Sequence, residues 1–266
     1  MAWNLARSRG ERRLPGHRKL MRAARANPHD AVAWAQQKLG FIADPKQAIV
    51  LSAHVPRGIL NCSRQWGKST TCAIKAVHFA EFHPDSLIVV AGPSLRQSGE
   101  FLRKAQKAVA QLGYRVRGDG TNNCSLLLPN GARIVGLPES EDTIRGFSAV
   151  DLMMIDEASR VSDQMYHALR PMLAVGAGAL WLLSTPNGKT GFFYREWSGT
   201  KQWERVQAAA EDCPRIPKDF LEEERMTLSE EDFRREYNCE FLPGEGALFD
   251  EAEIRARISD RVVPLW

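Results

Sequence analysis

Gly67-Lys68-Ser69 stands between a short apolar run, Gly58 to Leu60, and a helix-like segment, Thr71 to Phe82. A glycine, a lysine and a hydroxyl at a strand-to-helix turn make a cradle for nucleotide phosphates. Backbone N–H groups and the helix N-terminus face the anion, the lysine neutralises the β and γ phosphates, and the hydroxyl ligates Mg²⁺. The full pattern G-x-x-x-x-G-K-[ST] asks for glycine at position 62, where this chain has Cys62. Gly-Lys-Ser/Thr alone arises by composition in about one chain in ten of this length, so the turn needs chemical partners elsewhere in the chain.

The strand pattern supplies the frame for such partners. From Gly58 onward, apolar runs alternate with helical segments. Ser86–Ala91 reads as a buried strand, followed by an amphipathic helix over Leu95–Leu112. Cys124–Leu128 and Ala132–Leu137 flank Pro129-Asn130-Gly131 and read as a hairpin. Asp151–Ile155 and Ala179–Leu183 are further short buried strands, with helical residues from Asp163 to Met172 between them. Continuous apolar strands separated by helices imply an α/β fold with a mostly parallel sheet covered on both faces. Ligands of such sheets bind at the carboxyl ends of the strands, so the loops after Asn61, Ala91, Ile155 and Leu183 are expected on one edge.

Those loops carry the missing chemistry. Phosphoryl transfer to water needs a carboxylate for the Mg²⁺ shell and a group that orients or deprotonates the attacking water. Asp156 is placed for the first role and Glu157 for the second, although an Asp-Glu pair after a strand also reads as a helix cap. Ser184-Thr185-Pro186 ends another buried strand; its hydroxyls could sense the γ-phosphate, while spacing alone favours a plain turn. Arg64, inside the loop, and Arg145 are candidate stabilisers of charge on the γ-phosphate. Gln47 could pair with an adenine edge, yet by sequence it reads as an exposed residue at a helix start.

Five cysteines, scattered and without a C-x-x-C pair, argue against a disulfide framework or structural zinc and fit a reducing compartment. No apolar run approaches the ~18 residues of a membrane span, and the polar, basic start is not a secretory signal. Residues 1–25 hold eight Lys/Arg against one Glu in a chain of net charge +4, so the remainder is net negative. This basic tail could touch nucleic acid or be a solvated terminus.

Five motifs stand in order: Ser63-Arg64-Gln65-Trp66-Gly67-Lys68-Ser69, Gly92-Pro93-Ser94-Leu95-Arg96-Gln97-Ser98, Thr143-Ile144-Arg145-Gly146-Phe147, Met154-Ile155-Asp156-Glu157-Ala158 and Leu183-Ser184-Thr185-Pro186-Asn187-Gly188. Over about residues 41–250 this set resembles the ATPase domain of the large terminase subunit, the DNA-packaging motor of tailed bacteriophages. That family's phosphate loop characteristically lacks the first glycine and carries Ser-Arg-Gln, so Cys62 fits the resemblance.

The resemblance implies a RecA-like P-loop ATPase using ATP and Mg²⁺. Ser63, Arg64, Gln65, Gly67, Lys68, Ser69 and Thr70 would meet the nucleotide, with Gln47 reading adenine. Ser69 and Asp156 would hold Mg²⁺, and Glu157 would activate water. Arg145 would serve as an arginine finger, and Ser184-Thr185-Pro186 would couple hydrolysis to motion. Implied partners are double-stranded DNA, a portal protein and a small terminase subunit. The implied setting is a homo-oligomeric ring, a pentamer, on a procapsid in the cytoplasm of the host bacterium, with no membrane.

The expected organisation is a basic tail and helix over 1–40, the ATPase core over 41–198 and a helical lid over 199–243. Residues 244–266 resemble the linker into the family's ribonuclease-H-like nuclease, whose activity is not expected of this chain. Two alternatives remain open: a helicase-type NTPase, since Asp-Glu-Ala-Ser also resembles helicase motifs, and an inactive module that only binds DNA or protein.

Overall fold

The structure, a computed structural model, describes residues 30–122, 124–137 and 146–243, and Arg257. The basic tail 1–25, Arg145 and the stretch 244–256 lie outside the described residues. Helix α1 (Ala31–Leu39) is capped by Asp30 and ends on left-handed Gly40. Helix α2 (Pro45–Ser52) opens with a reciprocal capping box between Asp44 and Gln47, which satisfies backbone donors that the first turn leaves unpaired.

The core then runs β1 (Arg57–Cys62), α3 (Lys68–Phe82), β2 (Leu87–Ala91), α4 (Leu95–Gln111), β3 (Ser125–Leu127), β4 (Arg133–Leu137) and β5 (Leu152–Asp156). It continues through α5 (Asp163–Leu169), β6 (Ala179–Ser184), α6 (Gly191–Ser198) and β7 (Glu204–Ala208). Among the described residues these strands form one seven-stranded sheet in the order β3-β4-β2-β5-β6-β1-β7. Every pairing is parallel except β3 with β4. The expected parallel α/β sheet and its hairpin are therefore present. The ends of β1, β2, β5 and β6 lie along one edge, as the crossover pattern requires.

Strand residues alternate between two apolar layers with the pleat's period of two. Leu60, Ile88, Val90, Met154 and Leu183 face a layer built with α1 to α4. Ile59, Val89, Met153, Ile155 and Leu182 face one built with α5 and α6. Burial on both faces explains the nearly continuous apolar runs.

Two expectations are corrected. The stretch 204–242, read as mostly helical, begins with a strand: β7 pairs with β1 from Gly58↔Glu204 to Cys62↔Ala208 and closes the sheet edge. Its alternating Val206 and Ala208 are buried, while Gln207 is exposed. The charges flanking them hid the strand. Beyond β7, α7 (Lys218–Thr227) and α8 (Glu230–Glu236) form a small helical unit around Ala210, Phe233 and Tyr237. The helix read from Thr71 starts earlier, at Lys68. No helix among the described residues is long and apolar enough to cross a membrane.

Lys75 of α3 is buried beneath α2. Its Nζ donates to the carbonyls of Val50 (2.9 Å), Leu51 (3.3 Å) and Ala53 (2.7 Å) and lies 4.6 Å from the Trp181 ring centroid. It satisfies carbonyls that the end of α2 leaves open. Burial pulls its pKa from the ordinary 10.5 down to about 8. A depressed lysine pKa means that the folded state sheds its proton first. Below pH 8 the buried charge costs stability, and between about pH 8 and 10.5 that cost, about 3 kcal/mol, is progressively relieved. Relative to Lys75→Met, wild-type unfolding free energy in urea should rise by about that amount across this window; a constant difference would contradict the assignment.

Candidate functional site

The turn between β1 and α3 is shaped by backbone that few residues adopt. Gln65 has φ 64° and Gly67 φ 100°. A side chain at Gly67 would be strained at that angle, and its Cβ would come within 3.2 Å of Gln47 Nε2. Gly67 is also the N-cap of α3 and supplies no capping side chain. The helix thus presents its first N–H groups and its positive dipole end to the cleft beside it.

Lys68 follows at once, nearly buried. Its Nζ lies 3.2 Å from Thr185 Oγ1, at the end of β6, and 3.2 Å from Glu157 Oε1, just past β5. One ammonium thus joins three strand ends. Ser69 Oγ donates to Asp156 Oδ1 at 3.2 Å. Asp156 is 5% exposed. Burial, then the Glu157 charge, push its pKa up to about 6, against the opposing pull of Lys68 and the Ser69 hydrogen bond. A carboxylate in that position gains from a cation. Two hard oxygen donors on adjacent elements fit Mg²⁺, which takes one or two protein ligands and completes its shell with phosphate and water.

Glu157 holds a left-handed φ of 51°, and its N–H reaches back to Asp156 Oδ1 at 3.1 Å. Such a conformation in a non-glycine residue is costly and clusters at functional sites. Ser184 Oγ meets Ser159 Oγ at 2.8 Å and accepts from Ser159 N at 3.2 Å. In the Ser-Thr-Pro segment Thr185 touches the lysine, Ser184 touches Ser159 just after Glu157, and Pro186 is buried.

These groups open on a cleft of about 770 Å³, lined in part by Gln47, Gln65, Ser69, Thr70 and Thr185. Arg64, Lys68, Lys104, Arg160 and Arg215 also line it, five cations against the single carboxylate of Glu157 among the described residues. That balance suits a polyanion.

Two sequence readings change here. Gln47, read as exposed, is 2% exposed. Its Oε1 accepts from Asp44 N (3.1 Å) and its Nε2 donates to Trp66 O (3.2 Å), which fixes the carboxamide at the cleft wall. Ser63, read as a nucleotide contact, is fully buried and its N–H is bonded to Ala208 O at 2.9 Å; it extends the β1–β7 pairing below the loop. Arg64 lines the cleft while its Nε pairs with Glu236 Oε2 of α8 at 2.7 Å. Sequence reasoning misses Lys104, Arg160 and Arg215. Gln97, also on the cleft, sits in the second of the five motifs and has no role assigned from sequence.

A family model described as terminase large subunit, T4likevirus-type, N-terminal, matches residues 59–256. The chain belongs to this terminase family. The terminase large subunit of Escherichia phage T5 is 24% identical over 220 residues, covering 77% of this chain and 49% of the relative. That of Thermus virus P23-45 is 23% identical over 248 residues, covering 79% and 51%. The chain spans about half the length of these curated relatives. Among solved structures, the Thermus phage P74-26 large terminase ATPase domain superposes with TM-score 0.68 at 21% identity, covering 81% of this chain and all of that one. A large terminase from a thermophilic bacteriophage, solved in complex with ADP, gives 0.65 at 18% identity, covering 75% and 53%. At these identities the structural likeness establishes the RecA-like P-loop fold of a terminase ATPase domain.

Proposed function

We propose that the chain is the ATP-hydrolysing motor module of a phage large terminase, driving double-stranded DNA into a procapsid. The observation that carries this is the meeting of Lys68, Glu157 and Thr185 beside the Ser69–Asp156 pair, at the uncapped start of α3. Terminases solved with ADP and with ATP-γ-S support a nucleotide as the ligand.

In this reading the loop amides, Thr70 and Lys68 would bind the phosphates, and Ser69 and Asp156 would hold Mg²⁺. Mg²⁺, when bound, neutralises charge on the β and γ phosphate oxygens. Glu157 takes the proton of the attacking water, its strained backbone aiming the carboxylate at the cleft. Lys68 is its ionic partner before nucleotide arrives and transfers that pairing to phosphate. Thr185 and Ser184 touch the lysine and the post-β5 segment, so loss of the γ-phosphate reaches β6 through hydrogen bonds. Arg64 would meet the phosphates from the cleft wall while its Nε pairs with Glu236, which links the loop to the helical unit acting as a lid. Gln47 reads the base.

Arg145 is inferred to complete a neighbouring subunit's site in a ring, with five subunits, a portal protein and a small subunit as proposed partners in the host cytoplasm. DNA would be gripped through its phosphates, with the tail 1–25 contributing.

The test separates a packaging motor from a helicase. With ATP and Mg²⁺, duplex DNA should stimulate hydrolysis while a forked duplex stays paired. Strand separation would favour the helicase reading, and hydrolysis indifferent to DNA would contradict the motor assignment.

A further inference from the structure

Three separate segments meet at one carbonyl beside the cleft-lining Gly67. Trp66 O, directly before Gly67-Lys68, accepts from Gln47 Nε2 at 3.2 Å and from Arg215 Nη2 at 2.5 Å. Gln47 belongs to α2, Trp66 to the phosphate loop, and Arg215 to the segment that leads into α7.

The same guanidinium lies 3.7 Å from Asp44 Oδ2. That oxygen is buried and has no hydrogen-bond donor among the described residues. Asp44 Oδ1 accepts from Gln47 N at 2.9 Å, so Arg215 faces the acid of the capping box that fixes the glutamine. Nearby, Lys46 Nζ pairs with Asp212 Oδ2 at 2.6 Å. Asp44 and Lys46, at the cap and first turn of α2, are thus held by Arg215 and Asp212 through two charge contacts. Arg215 also lines the cleft.

A guanidinium that donates to a carbonyl and sets its charge beside a buried carboxylate, here through the single nitrogen Nη2, holds both in fixed relation. Here the carbonyl fixes the start of the phosphate loop and the carboxylate fixes the turn bearing Gln47. We propose that Arg215 is a positioning residue of the nucleotide site. It ties the small helical unit to the base-facing turn, so the base is held firmly only while that unit is docked. This rests on the reading of the cleft as a purine-nucleotide site. Its consequence is that displacement of the helical unit loosens the base side first and favours release of the spent nucleoside diphosphate.

Binding of two probes, ADP and inorganic tripolyphosphate, tests the proposal, because only the first carries a base. Arg215→Ala should weaken ADP binding by about tenfold, equivalent to about 1.4 kcal/mol, and tripolyphosphate binding by only about two- to threefold, the share owed to one cleft cation and to the loop carbonyl. Arg215→Lys keeps a positive charge near Asp44 but replaces the planar guanidinium with a compact ammonium on a different stem, so it should fall between; it also carries the test if the alanine variant does not fold. Adding Arg215→Ala to Gln47→Ala should cost little beyond Gln47→Ala alone, since residues acting through one contact are non-additive. Unchanged ADP affinity, equal losses for both probes, or full additivity would overturn the role of Arg215. Wild-type protein that binds neither probe would overturn the nucleotide reading beneath it.

Discussion

Glu157→Gln should lower ATP turnover by about 10³-fold, the range in which removing a positioned general base acts, while nucleotide still binds. The carboxamide has the shape of the carboxylate and can occupy the same left-handed position, but it cannot take a proton from water. Glu157 is also the ionic partner of Lys68, 3.2 Å away. Neutralising it removes the direct ionic partner of the ammonium and leaves only Asp156 as a nearby acid among the described residues, so binding of ATP should be equal or tighter. Single-turnover phosphate release, measured beside equilibrium binding, separates the two effects. A variant that turns over like wild type would remove Glu157 from the chemistry. One that neither binds nor turns over would make it a structural residue.

Lys68→Ala should do the reverse and remove binding first. The ammonium is nearly buried and reaches both Glu157 and Thr185. Its loss forfeits a charge-assisted contact to phosphate, about 3 kcal/mol, or roughly 10²-fold in affinity. It also leaves the Glu157 carboxylate facing the incoming phosphates without compensation. For that second reason Lys68→Ala/Glu157→Gln should bind nucleotide better than Lys68→Ala alone. Equal affinities would show that the two side chains are not coupled in the nucleotide-free protein.

Much of this site is legible in the sequence because parallel α/β folds concentrate chemistry at predictable places. Lys68, Asp156, Glu157 and Ser184-Thr185 each follow a short apolar run, and strand ends in such a sheet share one edge. The strands themselves stand out because burial on both faces leaves little but apolar residues in them.

What is hidden depends on tertiary docking. β7 alternates instead of running apolar, since it closes an edge, and its charged neighbours read as helix. Gln47 looks exposed in sequence, as a helix-start residue does, and its burial against the phosphate loop, where Nε2 donates to Trp66 O, comes from tertiary packing. Ser63 reads as part of a phosphate cradle but serves the β1–β7 pairing. Arg215 stands between two prolines in a segment with no periodicity, and its place on the cleft comes wholly from how the helical unit packs on α2. Lys104 and Arg160 each lie beyond the end of a motif, where a cation reads as a solvated charge.

The most direct test is hydrolysis of ATP by the wild-type chain in a single-turnover experiment, with and without Mg²⁺, beside Asp156→Asn. A Mg²⁺-dependent ATPase built on Ser69 and Asp156 should release phosphate only with Mg²⁺, and Asp156→Asn should demand much more of it. Phosphate release independent of Mg²⁺, or the same Mg²⁺ demand in both proteins, would contradict that assignment.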